Sequence, residues 1–246
     1  CVDCLEDSDC LTGACNDDGT CAGCTNPLGC LLETEFIEQK VVAPNSTGRE
    51  LFGYSVALSG SRALVSAHKA SLLVGGTSVT SGAVDFFEKD EQGTWIHKQR
   101  FYPSAPSSDL NFGIHVAMEG RRAVIGTFAG TTSERRAYVF ELNENGLWVE
   151  VARLEPSETS SNSRFGRYVS LKNAPDGTAT VVVGAPYERV GQLNKGAIHQ
   201  FILGANGEWQ TQGRLLFPGA SGGAEFGSSF AWGPDGLLVG APAQSL

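Results

Sequence analysis

Four segments of the chain open in the same way: LFGYSVALSG at 51–60, NFGIHVAMEG at 111–120, RFGRYVSLKN at 164–173 and EFGSSFAWGP at 225–234. Their Phe-Gly pairs, Phe52-Gly53, Phe112-Gly113, Phe165-Gly166 and Phe226-Gly227, are spaced by 60, 53 and 61 residues. Self-similarity at such a period marks a repeat architecture, in which each unit buries its faces only by stacking on its neighbours. A small-residue corner follows each pair: Ser66-Ala67, Gly126-Thr127, Gly184-Ala185-Pro186 and Gly240-Ala241-Pro242. It lies 13 residues beyond the glycine in three repeats and 18 in the third, where NAPDG lengthens a turn. Constant spacing with one loop insertion is the mark of a strand–turn–strand unit.

Two further landmarks complete the repeat. SGAVDFFEKD, RRAYVFELN and KGAIHQFILG are apolar and aromatic, and GTWIHKQRFYPS, GLWVEVARLEPS and GEWQTQGRLLFPG hold Trp95, Trp148 and Trp209 in one register. Each repeat is therefore four short runs rich in Val, Ile, Phe and Trp, punctuated by Gly, Asn, Asp and Ser. No stretch keeps helical periodicity over three turns. Four strands in roughly 55–60 residues make one propeller blade. The expected fold class is all-β: a partial β-propeller of about three and a half four-stranded blades. In this reading the Phe of each pair is a wedge between blades, its glycine allows close backbone approach, and proline ends an inner strand at the corner.

Phe-Gly followed by Gly-Ala-Pro, in blades of this length, resembles the FG-GAP repeat of integrin α-subunit propellers, and more closely an extended form found in secreted proteins. The resemblance covers about residues 35–246. It implies a propeller of seven blades, needing roughly 400 residues, so the chain is expected to be truncated at its C-terminal end. Residues 35–44, EFIEQKVVAP, match the fourth-strand pattern and are expected to serve a blade whose remainder is elsewhere. Calcium-binding blades of that family carry an aspartate-rich loop after the corner. The corresponding loops here, HKASLLVGGTSVTSG, FAGTTSERR and YERVGQLNKG, lack the clustered oxygen ligands calcium needs, so no metal is expected in them.

All seven cysteines, Cys1, Cys4, Cys10, Cys15, Cys21, Cys24 and Cys30, precede the repeats. So small a segment buries too little apolar surface to fold unaided and needs staples. Cys1-x2-Cys4 and Cys21-x2-Cys24 have zinc-site spacing, but three further cysteines at close spacing favour disulfides and an oxidising compartment. The odd number leaves one cysteine without a partner in the segment. The domain reading is a disulfide-rich module at 1–32 and a propeller segment at 33–246. Asn45-Ser46-Thr47 is a glycosylation sequon, which makes Asn45 a candidate glycan site.

The chain has 18 basic against 27 acidic residues, a net charge of −9, which excludes the basic footprint of a nucleic-acid binder. No apolar run approaches the roughly 18–20 residues of a membrane span. No nucleophile elbow or phosphate loop occurs, and His68, His97, His115 and His199 occupy unrelated repeat positions, expected to be partly exposed strand residues. The fixed register of the three tryptophans points to packing rather than to a stacking ladder for sugars. The reading is then of an extracellular, secreted or cell-surface protein that is not an enzyme, with no catalytic residues and no cofactor. Its propeller would bind a protein partner or neighbouring subunits, in adhesion or a filament. The alternative is a carbohydrate-binding or carbohydrate-active propeller with its site in the central channel.

Overall fold

The computed structural model describes residues 38–44, 46, 48–128, 136–156 and 162–244. The seven cysteines and Asn45 lie outside the described residues, and with them the expected disulfides and glycan. The chain divides into two compact units, Cys1–Lys40 and Val41–Leu246, and all of the blades belong to the second.

The second unit is a partial β-propeller, and no helix occurs among the described residues. Blade 1 is an antiparallel sheet of β1 (Phe52–Ser59), β2 (Arg62–Ala67), β5 (Ala83–Lys89) and β6 (Trp95–Phe101). Blade 2 consists of β7 (Val116–Glu119), β8 (Arg122–Gly126), β9 (Ala137–Leu142) and β10 (Trp148–Leu154). Blade 3 consists of β11 (Tyr168–Asn173), β12 (Ala179–Ala185), β15 (Ala197–Leu203) and β16 (Trp209–Leu215). Blade 4 contributes β17 (Ser229–Trp232) and β18 (Leu237–Gly240). The four landmarks of the repeat are thus the four strands of a blade. The first strands of successive blades lie against one another, β1 on β7, β7 on β11 and β11 on β17, as the innermost strands of a ring do.

The core lies between blades. Leu64, Phe86 and Phe101 of blade 1 pack with Phe112, Phe140 and Trp148 of blade 2. Val139 and Leu154 of blade 2 pack likewise with Phe165, Val181 and Phe201 of blade 3. Phe112 and Phe165 are buried wedges, each worth about 1.5–3 kcal/mol of burial. Trp148 is also buried, edge-on to Phe86 of the preceding blade at 5.8 Å.

The Phe-Gly turn has one backbone form in all four repeats. Gly53, Gly113, Gly166 and Gly227 have φ between 89° and 94°. The residue before each phenylalanine, Leu51, Asn111, Arg164 or Glu225, sits in the left-handed region at φ 52° to 58°. Side chains other than Gly and Asn adopt that region at a cost. A second repeated device is a bulge in the fourth strand. The register slips between Phe86 and Phe87, between Glu150 and Ala152, and between Gln200 and Phe201. The slip leaves Lys98, Val151 and Gln212, each three residues after its tryptophan, out of register, which bends the strand and raises its twist.

Two departures from the sequence reading stand out. Residues 38–44 form no strand, because no third strand is present beside them among the described residues; Val41 instead packs on Ala63, Val65 and Phe87. The loops after the corners of blades 1 and 3 are two-stranded hairpins, β3 (Ser71–Val74) with β4 (Thr77–Thr80) and β13 (Arg189–Val190) with β14 (Leu193–Asn194).

Candidate functional site

First strands begin, and second strands end, at the same end of every blade, so the Phe-Gly turns and the corners share one rim around the inner strands. Each of the first three corners is followed there by a ring: His68, Phe128 and Tyr187. Each ring meets a side chain set by a Phe-Gly turn. Tyr54 lies edge-on to His68 at 4.2 Å. The guanidiniums of Arg164 and Arg167 lie 5.6 and 5.2 Å from the Phe128 ring, and Arg164 also stacks on Tyr187 at 3.6 Å. The Tyr187 hydroxyl donates to Glu225 at 2.7 Å, and that carboxylate, ahead of burial, raises the phenol above its ordinary range. The rim therefore carries ring and guanidinium contacts that join blade 2 to blade 3, a hydrogen bond from blade 3 to blade 4, and a separate ring pair on blade 1.

The strained left-handed residues feed this rim directly. Arg164 and Glu225 are two of them, and Asn111 donates from Nδ2 to the carbonyl of Phe128 at 2.7 Å. Inside the rim is a hollow of about 340 Å³ lined by Tyr54, Ser55, Ile114, His115, Arg167 and Tyr168. That size suits a small ligand or one side chain group of a partner.

Two histidines belong to the rim, against the expectation of plain strand residues. His68 is buried at 4% exposure, and its Nδ1 has no hydrogen-bond partner among the described residues. Burial, with the nearby Lys69 charge, lowers its pKa. His115 is lowered by burial as well. Its Nδ1 accepts a long hydrogen bond, 3.5 Å, from the backbone N–H of Val169 in the next blade. Ser55 does the same one blade earlier, accepting from Val116 N–H at 3.1 Å. An imidazole used as an acceptor at Nδ1 is neutral, with its proton on Nε2.

Farther out, a second pattern repeats. Arg100, Arg153 and Arg214 each lie five residues after the blade tryptophan, opposite Asp85, Tyr138 and His199 of the third strand. Arg100 donates to both oxygens of Asp85 and to Glu50. Burial works against its charge, but the two carboxylates outweigh this and hold it above its ordinary range. Arg153 pairs with Glu150. Arg214 donates to Glu188 at 2.7 Å, and His199 Nε2 lies 2.7 Å from the other oxygen of that wholly buried carboxylate. His199 is itself 1% exposed, not a partly exposed strand residue. Glu188 lies in the loop YERVGQLNKG, and its carbonyl also accepts from the N–H groups of Lys195 and Gly196. An arginine and a histidine thus hold this loop closed from within the blade. Among the described residues no three His, Cys, Asp or Glu side chains gather as a metal site.

Repeated four-stranded blades, wedged by phenylalanine and closed at a glycine corner, define a β-propeller. Residues 37–84 and 148–201 match the FG-GAP repeat, so FG-GAP repeats are present in two regions of the chain, over the first three strands of blade 1 and of blade 3. Both matches end in the third strand of a blade. Neither covers the Phe-Gly turn and corner of blade 2, where Thr127-Phe128 stand in place of Ala-Pro. No curated protein matches the sequence. Among solved structures, one similar chain is a Lactobacillus plantarum protein, 13% identical, with 77% of this chain covering 48% of that one at a TM-score of 0.47. Another is the periplasmic gluconolactonase of Pseudomonas aeruginosa, 14% identical, with 75% covering 64% at a TM-score of 0.36. This chain therefore spans about half of the first and less than two thirds of the second. The expectation that the chain is not an enzyme does not stand, since one of the similar structures is named a gluconolactonase. At that identity the neighbour assigns no activity here.

Proposed function

We propose that this FG-GAP propeller is the interaction module of an extracellular protein, and that it engages a protein partner or a neighbouring subunit through the aromatic and cationic rim. The observation that carries the reading is the series Phe128–Arg167 and Arg164–Tyr187–Glu225 across the two joints from blade 2 to blade 4, with the Tyr54–His68 pair beside it on blade 1. Tyrosine and arginine are the residues enriched where partners bind tightly, because they supply area, charge and hydrogen bonds with few torsions to freeze. Tyr54 is 54% exposed, so it offers that area to a partner. The extracellular setting rests on the seven clustered cysteines and the Asn45 sequon.

The test is a photo-crosslinking residue at Tyr54, with the same residue at Leu147, an exposed turn at the opposite end of blade 2, as reference. A partner captured at Tyr54 and not at Leu147, and lost in the Arg164→Gln, Arg167→Gln double variant, supports the reading. Equal capture at both positions, or capture indifferent to the double variant, defeats it. A glycan reading of the same rim is favoured by the hollow between Tyr54, His115 and Tyr168, whose rings suit a sugar face. It predicts saccharide binding that Tyr54→Ala and Tyr168→Ala abolish together.

A further inference from the structure

A second concavity among the described residues shares no lining residue with the rim hollow. It is a cleft of about 780 Å³ beside blade 1, closed on one side by the β3–β4 hairpin and on the other by Arg100. The hairpin supplies the hydroxyls of Ser71, Ser78 and Thr80, and Tyr102 adds a phenol. Ser71 and Thr80 are bonded to each other across the hairpin at 2.8 Å, which fixes the wall. The floor is set by the Arg100 lock. Glu50, 8% exposed, gives Oε2 to Arg100 and has no hydrogen bond at Oε1 among the described residues, which leaves that oxygen as an acceptor.

The charges at the mouth decide the ligand class. Arg100 is outweighed by Asp85 and Glu50, so it offers no free positive charge to a ligand. Arg49 has no carboxylate partner among the described residues, and Lys69 has only Asp109, 3.9 Å away and 82% exposed at its side chain. A chain of net charge −9 therefore places two loosely held cations over a hydroxyl-lined hollow. A guanidinium fork and an ammonium matched to a carboxylate give strong, charge-assisted bonds, and hydroxyls with one buried acceptor match a polyol. The volume lies within the usual range for a ligand pocket.

We propose that this cleft binds an acidic saccharide: its carboxylate held by Arg49 and Lys69, its hydroxyls by the hairpin and by Glu50 Oε1. Lys69 adjoins His68 of the rim, but the cleft shares no lining residue with the rim hollow, and Arg167→Gln tells the two readings apart. The experiment is isothermal calorimetry of the full chain with oligogalacturonate and with its methyl ester, at low and at physiological salt. The acid is expected to bind at least ten-fold more tightly than the ester, and to weaken with salt as a charge contact does. Lys69→Gln and Arg49→Gln, both on partly or fully exposed side chains whose loss leaves the fold intact by thermal melting, are each expected to weaken the acid several-fold. Arg167→Gln on the rim should leave it unchanged. Equal binding of acid and ester, no binding of either, indifference to Lys69→Gln and Arg49→Gln, or loss of binding in Arg167→Gln overturns the proposal.

Discussion

Gly184 of blade 3 approaches Gly227 of blade 4 so closely that a β-carbon on Gly184 would lie 2.1 Å from the Gly227 carbonyl oxygen. The same joint between blades 2 and 3 brings Gly126 to 2.2 Å from the Gly166 oxygen by that measure. The corner glycine of one blade is thus seated on the Phe-Gly turn of the next. The obstacle is backbone, which cannot rotate away as a side chain can.

Gly184→Ala and Gly126→Ala are accordingly expected to separate adjacent blades and to destabilise the fold by about 3 kcal/mol, the upper part of the range for overpacking. Gly236→Ala, where an added methyl meets nothing, should stay within about 0.5 kcal/mol. Urea unfolding midpoints of the three variants decide the matter. A Gly184→Ala protein as stable as Gly236→Ala would show that the blades do not meet backbone to backbone at this joint.

The arginine locks share a register but not a burial. Arg214 answers a carboxylate with no exposure, whereas Arg153 and Glu150 pair nearer the surface, Arg153 being 40% exposed at its side chain. Truncating Arg214 to alanine should cost about 3 kcal/mol or more, since it leaves Glu188 charged and buried with His199 alone. Truncating Arg153 should cost less than about 1 kcal/mol, as exposed pairs do. Equal losses for the two would mean that burial does not set the strength of these locks.

Acid should weaken the fold before the carboxylates titrate. The folded pKa values of His68 and His115 lie below the ordinary 6.5, so between those lowered values and 6.5 the unfolded chain binds more protons than the folded one. Stability is then fully present above about 6.5 and lost as pH falls below it. Denaturant midpoints measured from pH 7.5 to 5.5 should decline, and the decline should shrink in His115→Gln, whose amide oxygen can still accept from Val169 N–H. A midpoint that is flat or rises over this window would contradict the lowered pKa values of the two imidazoles.

The blade-to-blade bond through Gln99 offers a check on the ring itself. Its side-chain amide donates to the Trp148 carbonyl at 3.0 Å and accepts the Trp148 N–H at 2.7 Å, joining the fourth strands of blades 1 and 2. Gln99→Ala should cost about 1–2 kcal/mol, for two hydrogen bonds with one partner left in place. Hydrogen exchange should show the Trp148 amide losing protection ahead of the Phe140 amide. Unchanged protection at Trp148 would mean that this bond is not formed in solution.

The scaffold was legible in the sequence because its parts repeat at fixed spacing. Phe52, Phe112, Phe165 and Phe226 counted the blades, and the tryptophan register located every fourth strand. The locks were less legible. Arg100, Arg153 and Arg214 recur five residues after each tryptophan, a signal present in the sequence. Their acids come from different places, however: the third strand and the segment before Phe52, the fourth strand itself, and the loop after the corner. No fixed-spacing motif joins them. The rim was hidden for a similar reason, since His115 repeats Ser55 in position and in bonding but not in chemistry. The hairpins were hidden because strands of two to four residues are too short to show alternation.

The left-handed residue before each phenylalanine has a further consequence. Its backbone is dictated by the Phe-Gly that comes after it, with φ between 52° and 58° whatever the side chain. The side chain is therefore free to change, and across the four blades it runs through leucine, asparagine, arginine and glutamate. One rigid turn becomes four addresses of different chemistry on a common frame. A ring so made can be re-addressed toward a new ligand one position at a time, with its architecture left alone.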